Sequence, residues 1–238
     1  MIPVQRLPPP HRTQVLLDRW SALVPLEGGD IDAARSLWSD AKALKKHLQR
    51  LLGQMARGAR RCMYCDDSMG TDIDHFEPLA HAPLRAFDWL NHLLACSYCN
   101  SNVKRGQYPC DSSGNCLLVD PSVDDPTHDL VLLLASGEYD HKTSKGAETI
   151  KVFGLNRIEL VQGRQTAFVR ARSTLRDWHQ QLKDGDHSEA DRLAQALVDS
   201  PFAVVVHAME RLPPTSRTTV LGDKAAAALK EWISCPRW

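Results

Sequence analysis

Apolar residues recur at helical spacing near the start of the chain and again through its last third, with a shorter, broken pattern between. After a proline-rich entry, Pro8-Pro9-Pro10, the pattern predicts a helix from about His11 to Leu23. A second helix is expected after Gly28-Gly29, where the Asp30 carboxylate can accept from a free backbone N–H and cap it. Leu44, Leu48, Leu51, Leu52 and Met55 gather on one face of that helix, and a break is expected near Gly53 or Gly58. Further on, Thr71 to Phe76 reads as a short strand and Asn100 to Lys104 as the start of a helix. From Asp111 to Gly154 strands and turns are expected: Leu117-Leu118-Val119 ends at Asp120-Pro121, and Leu130 to Leu134 ends at Gly137. Helical spacing returns beyond Asn156 at Leu160, Ala167, Val169, Leu175 and Trp178. More helices are expected at about Ser188 to Asp199, Phe202 to Arg211 and Ser216 to Trp232.

The expected product is a mostly helical α+β chain in four stretches. Residues 1–61 form an N-terminal helical region, 62–109 a compact module, 110–155 a strand-and-turn segment packed on it, and 156–238 a C-terminal helical region. At 238 residues and 43% hydrophobic the chain can bury a sizeable core. No apolar run approaches transmembrane length, and Val131-Leu132-Leu133-Leu134-Ala135 is far too short to cross a membrane. The opening Met1-Ile2-Pro3-Val4-Gln5 lacks the basic and apolar regions of a signal peptide, so a cytoplasmic protein with reduced thiols is expected.

Charge changes the picture twice. The totals balance, 29 basic against 29 acidic residues. A protein that grips DNA unaided is usually basic, because phosphate neutralisation carries non-specific affinity. Balance therefore points to weak solitary binding or to a partner that holds the nucleic acid. Locally, however, Ala41 to Arg61 carries Lys42, Lys45, Lys46, Arg50, Arg57, Arg60 and Arg61 with no acid. Lys42, Lys46, Arg50 and Arg57 fall opposite the apolar face, as a solvated surface or as a track for phosphates.

The chemistry sits between. Cys62-Met-Tyr-Cys65 and Cys96-Ser-Tyr-Cys99 are two Cys-x-x-Cys pairs, and two such turns closing on one ion make a tetrahedral structural zinc site. Structural zinc contributes on the order of 10 kcal/mol to folding, enough to hold a small module with little core. Cys110, Cys116 and Cys235 stand outside the pattern and read as ordinary cysteines. Inside the clamp lie Asp74-His75, Asn91 and Asn100. A histidine suits the activation of water near neutral pH, and oxygen ligands suit a hard divalent cation. His75 is the candidate base, Asp74 and Asn100 the candidate metal ligands, and Asn91 the residue to hold the His75 loop. Lys104, one helical turn past Asn100, is placed to meet a phosphate. His81 and His92 read as surface or packing histidines, and Asp120, Asp124 and Asp125 as turn formers beside Pro121 and Pro126.

Cys62-x-x-Cys65, Asp-Ile-Asp-His-Phe-Glu-Pro (72–78), Trp89-Leu-Asn91 and Cys96-x-x-Cys99-Asn100 resemble the HNH endonucleases. That resemblance implies a zinc-stapled ββα-metal core with N- and C-terminal helical extensions. Asp74 and Asn100 would be ligands of a catalytic Mg²⁺ or Mn²⁺, His75 the general base and Asn91 the central Asn. Within that family the chain more closely resembles the HNH subunit of Septu-type and retron-linked antiphage systems, the PtuB-like proteins. Arg6-Leu-Pro-Pro, Phe87-Asp-Trp-Leu-Asn, Leu118-Val-Asp-Pro, Glu148-Thr-Ile and Gly154-Leu-Asn-Arg157 extend the likeness to roughly residues 1–172. It implies DNA as substrate and an ABC- or SMC-like ATPase (PtuA-like) or a retron complex as gating partner. Leu79 stands where many relatives carry a Lys, and Lys104 comes one residue later than usual, so Arg105 is placed to share its role. A stand-alone nicking or restriction-type nuclease and a non-catalytic zinc-binding module remain as alternatives.

Overall fold

The computed structural model describes residues 1–56 and 58–235; Arg57 lies outside them. Pro10 leads into α1 (His11–Leu26), and Pro25, which has no N–H to donate, marks its last turn. Gly28 and Gly29, both at positive φ, redirect the chain. Helix α2 (Ile31–Asp40) opens on Asp30, whose carboxylate accepts from the Ala33 N–H at 2.9 Å. The helix does not run on to Gly53. It breaks at buried Ala41, where ψ is 40°, and α3 (Lys42–Met55) continues in a new direction with Gly53 inside it. Alanine is the best helix former, so no local preference announces this break; burial of two separate apolar faces overrides it.

Strand β1 (Asp72–His75) pairs antiparallel with β2 (His92–Ala95), with His75 opposite His92 and Asp74 opposite Leu93. Strand β2 is buried at every position, so it shows no alternation by which a strand could be read. A π-helical segment, Tyr98–Lys104, follows after Cys96 and Ser97.

In the next stretch β3 (Leu130–Leu133) and β4 (Glu138–His141) form a hairpin around Gly137, after the short α4 (Pro126–Asp129). Two expectations fail here. Leu117-Leu118-Val119 is not a strand; Val119 N–H donates to the Thr149 hydroxyl at 2.8 Å instead of to a neighbouring strand. The run read as turns before Gly154 is a helix, α5 (Ser144–Phe153), capped by the Thr143 hydroxyl and ended by Gly154 in the left-handed region. The capping residue and the closing glycine were the signals for it.

The C-terminal region is helical as expected. Helix α6 (Ile158–Asp184) buries Leu160, Ala167, Leu175 and Trp178, while Val169 is exposed. It packs against α7 (His187–Asp199) and α8 (Val204–Glu210). The helix expected from Ser216 to Trp232 divides at Gly222, φ 80°, into α9 (Pro214–Leu221) and α10 (Asp223–Ser234). Buried apolar side chains form one cluster from Met1 to Trp232. Asp66, just past Cys65, ties the first cysteine turn to the C-terminal region: its carbonyl and carboxylate accept from Phe202 N–H at 2.8 Å and Val204 N–H at 2.7 Å. The result is a mostly helical α+β protein with two small sheets. Among the described residues no helix is long and apolar enough to cross a membrane.

Candidate metal centre and adjoining cleft

The two cysteine pairs meet. Cys62, Cys65, Cys96 and Cys99 are all buried, and their sulfurs lie within 4.8 Å of one another. Cys65 and Cys96 Sγ are 3.9 Å apart. A tetrahedral ion with about 2.3 Å metal–sulfur bonds sets its sulfurs about 3.8 Å apart, so the four thiols fit a structural metal such as zinc. Local bonding shapes the site: Asp66 N–H closes the first turn on Cys62 O at 3.0 Å, and Cys99 N–H points at Cys96 Sγ at 3.4 Å. Met63 N–H donates to Leu94 O at 2.9 Å, pinning the first turn to β2. Four protein ligands leave no open position, so this is a site for holding the chain rather than for chemistry.

Asp74, on β1, is almost wholly buried and its carboxylate carries three contacts. Lys104 Nζ, fully buried, donates to Oδ1 at 3.0 Å, lies 2.9 Å from Oδ2, and donates also to His75 O at 2.6 Å. The Tyr64 hydroxyl donates to Oδ2 at 2.5 Å. Burial, with the Asp74 carboxylate beside it, pushes the Tyr64 phenol well above its ordinary value, so it stays a donor. Tyr64 lies between the first two cysteines and stacks on Phe153, ring centroids 4.0 Å apart. The Lys104 side chain is thus turned inward, and the phosphate contact expected of it is not available. Nothing in the sequence separated Tyr64 from other residues of a Cys-x-x-Cys turn.

His75 is half-buried, and its Nε2 lies 2.9 Å from Ala86 O. A carbonyl oxygen only accepts, so Nε2 carries the hydrogen and Nδ1 the lone pair. His92 Nε2 shares the same oxygen at 3.0 Å. Among the described residues His92 Nδ1 has no hydrogen-bond partner, and its ring is fully buried. Trp38 from α2 fixes both rings, meeting His75 edge-on at 4.5 Å and stacking on His92 at 5.1 Å. Burial lowers the proton affinity of both imidazoles, and for His92 the neighbouring His75 lowers it further. His92 packs as expected, yet it does so against the candidate base.

Asn91 is fully buried and staples the loop beyond His75. Its side-chain oxygen accepts from Glu77 N–H at 2.8 Å, and its Nδ2 donates to Glu77 O at 3.0 Å and Arg85 O at 3.2 Å. Arg6 braces the backbone on either side of Asn91, donating to Trp89 O, Leu90 O and His92 O at 2.8–2.9 Å while lying over the Trp89 ring. Asn100 Nδ2 donates to Asp72 Oδ2 at 3.2 Å, so its carbonyl oxygen is the atom left for a cation.

Asp74, His75 and Asn100 line a cleft of about 440 Å³ together with Trp38, Leu79, Arg35 and Arg105. Arg35 escaped sequence reading. A second opening of about 440 Å³ is lined by Lys46, Gln49, Arg50 and Arg60, three of the expected cations brought together by α3 and the loop after it. Lys42 is exposed on the same helix. Lys45 instead donates to Ser39 O at 3.2 Å beside the Trp38 ring, and Arg61 donates to Asp67 O at 2.8 Å.

No family model matches the chain, and no solved structure matches it significantly. It is similar to the Septu protein PtuB of Bacillus mycoides (strain KBAB4), with 26% identity over 147 residues, 49% of this chain and 49% of that protein. The match thus spans about half the length of the relative. It supports the resemblance to PtuB-like proteins drawn from the segments between Arg6 and Arg157.

Proposed function

We propose that the chain is a divalent-metal-dependent endonuclease of the HNH type, hydrolysing DNA as the nuclease of a bacterial antiphage complex gated by an ATPase. The observation that carries this reading is that Asp74, His75 and Asn100 line one cleft. In it residues 62–109 are the catalytic ββα-metal module, zinc is its staple, and the stretches on either side brace it.

His75 takes the proton of an attacking water through Nδ1, while Nε2–H on Ala86 O holds the ring in one orientation. Burial keeps the imidazole neutral, and so able to accept, near neutral pH. Asp74 has about four acceptor positions, of which Lys104 and Tyr64 occupy three. The remaining one on Oδ1, with the Asn100 carbonyl oxygen, fits a hard cation that takes its other ligands from water and phosphate. Such an ion, Mg²⁺ or Mn²⁺, would supply charge neutralisation at the scissile phosphate and the leaving oxygen. Lys104 positions the carboxylate, and Asn91 the loop. Arg35 and Arg105 on the cleft wall, with Lys46, Arg50 and Arg60 further off, meet the DNA backbone.

The balance of 29 basic and 29 acidic residues supports a partner that shares the DNA, an ABC- or SMC-like ATPase or a retron complex. The basic opening on α3 favours the second reading, a stand-alone nicking enzyme. The test is supercoiled plasmid with Mg²⁺ or Mn²⁺, for the chain alone and with its ATPase, beside a His75→Ala control. Nicking that disappears in the variant supports the nuclease, and dependence on the ATPase supports gating. Intact plasmid under every condition would overturn the reading.

A further inference from the structure

Two cysteines lie apart from the metal centre and face each other. Cys110 and Cys116 are directly opposed in an antiparallel bridge. Asp111 N–H donates to Asn115 O at 2.9 Å on one side of the pair, and Leu117 N–H to Pro109 O at 2.8 Å on the other. The two cysteines therefore exchange no backbone bond with each other. Such non-hydrogen-bonded pairs bring their Cα atoms to about 4.5 Å and their side chains closest. Disulfides span Cα separations of about 4.4–6.8 Å. A cross-link here needs rotation of side chains and no movement of backbone.

The intervening loop holds this arrangement by itself. Asp111 Oδ1 accepts from Ser113 N–H at 2.8 Å and Asn115 N–H at 2.9 Å, and Oδ2 accepts from Asn115 Nδ2 at 3.0 Å. Gly114, φ 85°, supplies the left-handed turn. Cys110 is exposed and Cys116 half-buried, with Cys116 Sγ accepting from Leu118 N–H at 3.3 Å. An oxidant from solvent meets Cys110 first.

We propose that Cys110 and Cys116 are a dithiol–disulfide couple, oxidised by peroxides to a cross-link that closes the Asp111–Asn115 loop. The Cys110 thiolate attacks a peroxide oxygen, the O–O bond breaks, water leaves after protonation, and Cys110 becomes a sulfenic acid. The Cys116 thiolate attacks that sulfur, the S–O bond breaks, and a second water leaves. Two thiols lose two electrons and one hydrogen peroxide becomes two waters. The chain entering this bridge carries Arg105 and Gly106 of the cleft wall and Tyr108, whose ring meets Phe76 edge-on at 6.0 Å. Phe76 follows His75. The cross-link therefore fastens one wall of the cleft, whatever reaction that cleft supports.

The test is brief exposure of the full chain to hydrogen peroxide, alkylation of the remaining thiols, trypsin digestion and mass spectrometry. One tryptic peptide, Gly106–Lys142, holds both cysteines and no other. It should lose the mass of two hydrogens and resist alkylation, and a thiol reductant should restore both. In Cys116→Ser the Cys110 sulfenic acid should persist and be captured by dimedone at least tenfold more than in the parent chain. Two alkylated cysteines in the oxidised parent, linkage of Cys110 to another peptide, or equal dimedone capture in both chains would each overturn the proposal.

Discussion

Strands β1 and β2 support two buried polar clusters that solve the same problem in opposite ways. On one side four buried cysteine sulfurs converge within 4.8 Å of one another, a donor set that fits an ion from outside. On the other side the Asp74 carboxylate already has Lys104 and Tyr64 within 3.0 Å. The first cluster offers all four corners of a tetrahedral metal site. The second finds most of its partners within the protein and keeps a single acceptor position open on Asp74 Oδ1.

The contrast breaks most visibly at the clamp. Cys96→Ser should abolish stoichiometric zinc and unfold the region 62–109, since zinc supplies on the order of 10 kcal/mol at such sites. Zinc content by atomic emission and helicity by circular dichroism report it, and a variant that melts like the parent after chelation would remove zinc from the account. Next comes Lys104→Met, which leaves Asp74 buried without its ion-pair partner and should cost about 3–5 kcal/mol. Adding Asp74→Asn should recover a large part of that loss in urea unfolding; equal stability of the single and double variants would mean the pair does not hold the cluster. Tyr64→Phe removes one hydrogen bond to a charged group, for about 1.5–3 kcal/mol, and should leave zinc content unchanged. Loss of zinc in this variant would show the two clusters to be one. The smallest effect on stability belongs to Lys46→Glu with Arg50→Glu, within about 0.5 kcal/mol for exposed positions. Nucleic-acid binding should nonetheless weaken and its dependence on salt flatten, and binding that stays the same would remove α3 from the interface.

Residues outside the metal module also show what a resemblance in sequence was marking. Arg6 holds the backbone around Asn91. Thr149, inside Glu148-Thr-Ile, receives Val119 N–H from Leu118-Val-Asp-Pro. Asn156, inside Gly154-Leu-Asn-Arg157, pairs through its amide with the backbone of Tyr139 at 2.8 Å and 2.7 Å. Each of these polar side chains satisfies main chain far away in sequence, which buried backbone requires. Their spacing could not reveal those partners.

The sequence by itself determined what depends on neighbours along the chain or on the chemistry of single residues. Asp30 caps a helix because its carboxylate reaches a free N–H three residues on. Paired cysteines announce a metal because two thiols in one turn already hold half a tetrahedron. The tertiary structure decided the rest. It set the break at Ala41, paired the featureless run His92–Ala95 with β1, and brought Arg35 and Trp38 from α2 to the cleft of His75. It also turned Lys104 inward. An ammonium carries the same charge in any register, and only the fold brings buried Asp74 and the His75 carbonyl close enough to partner it inside.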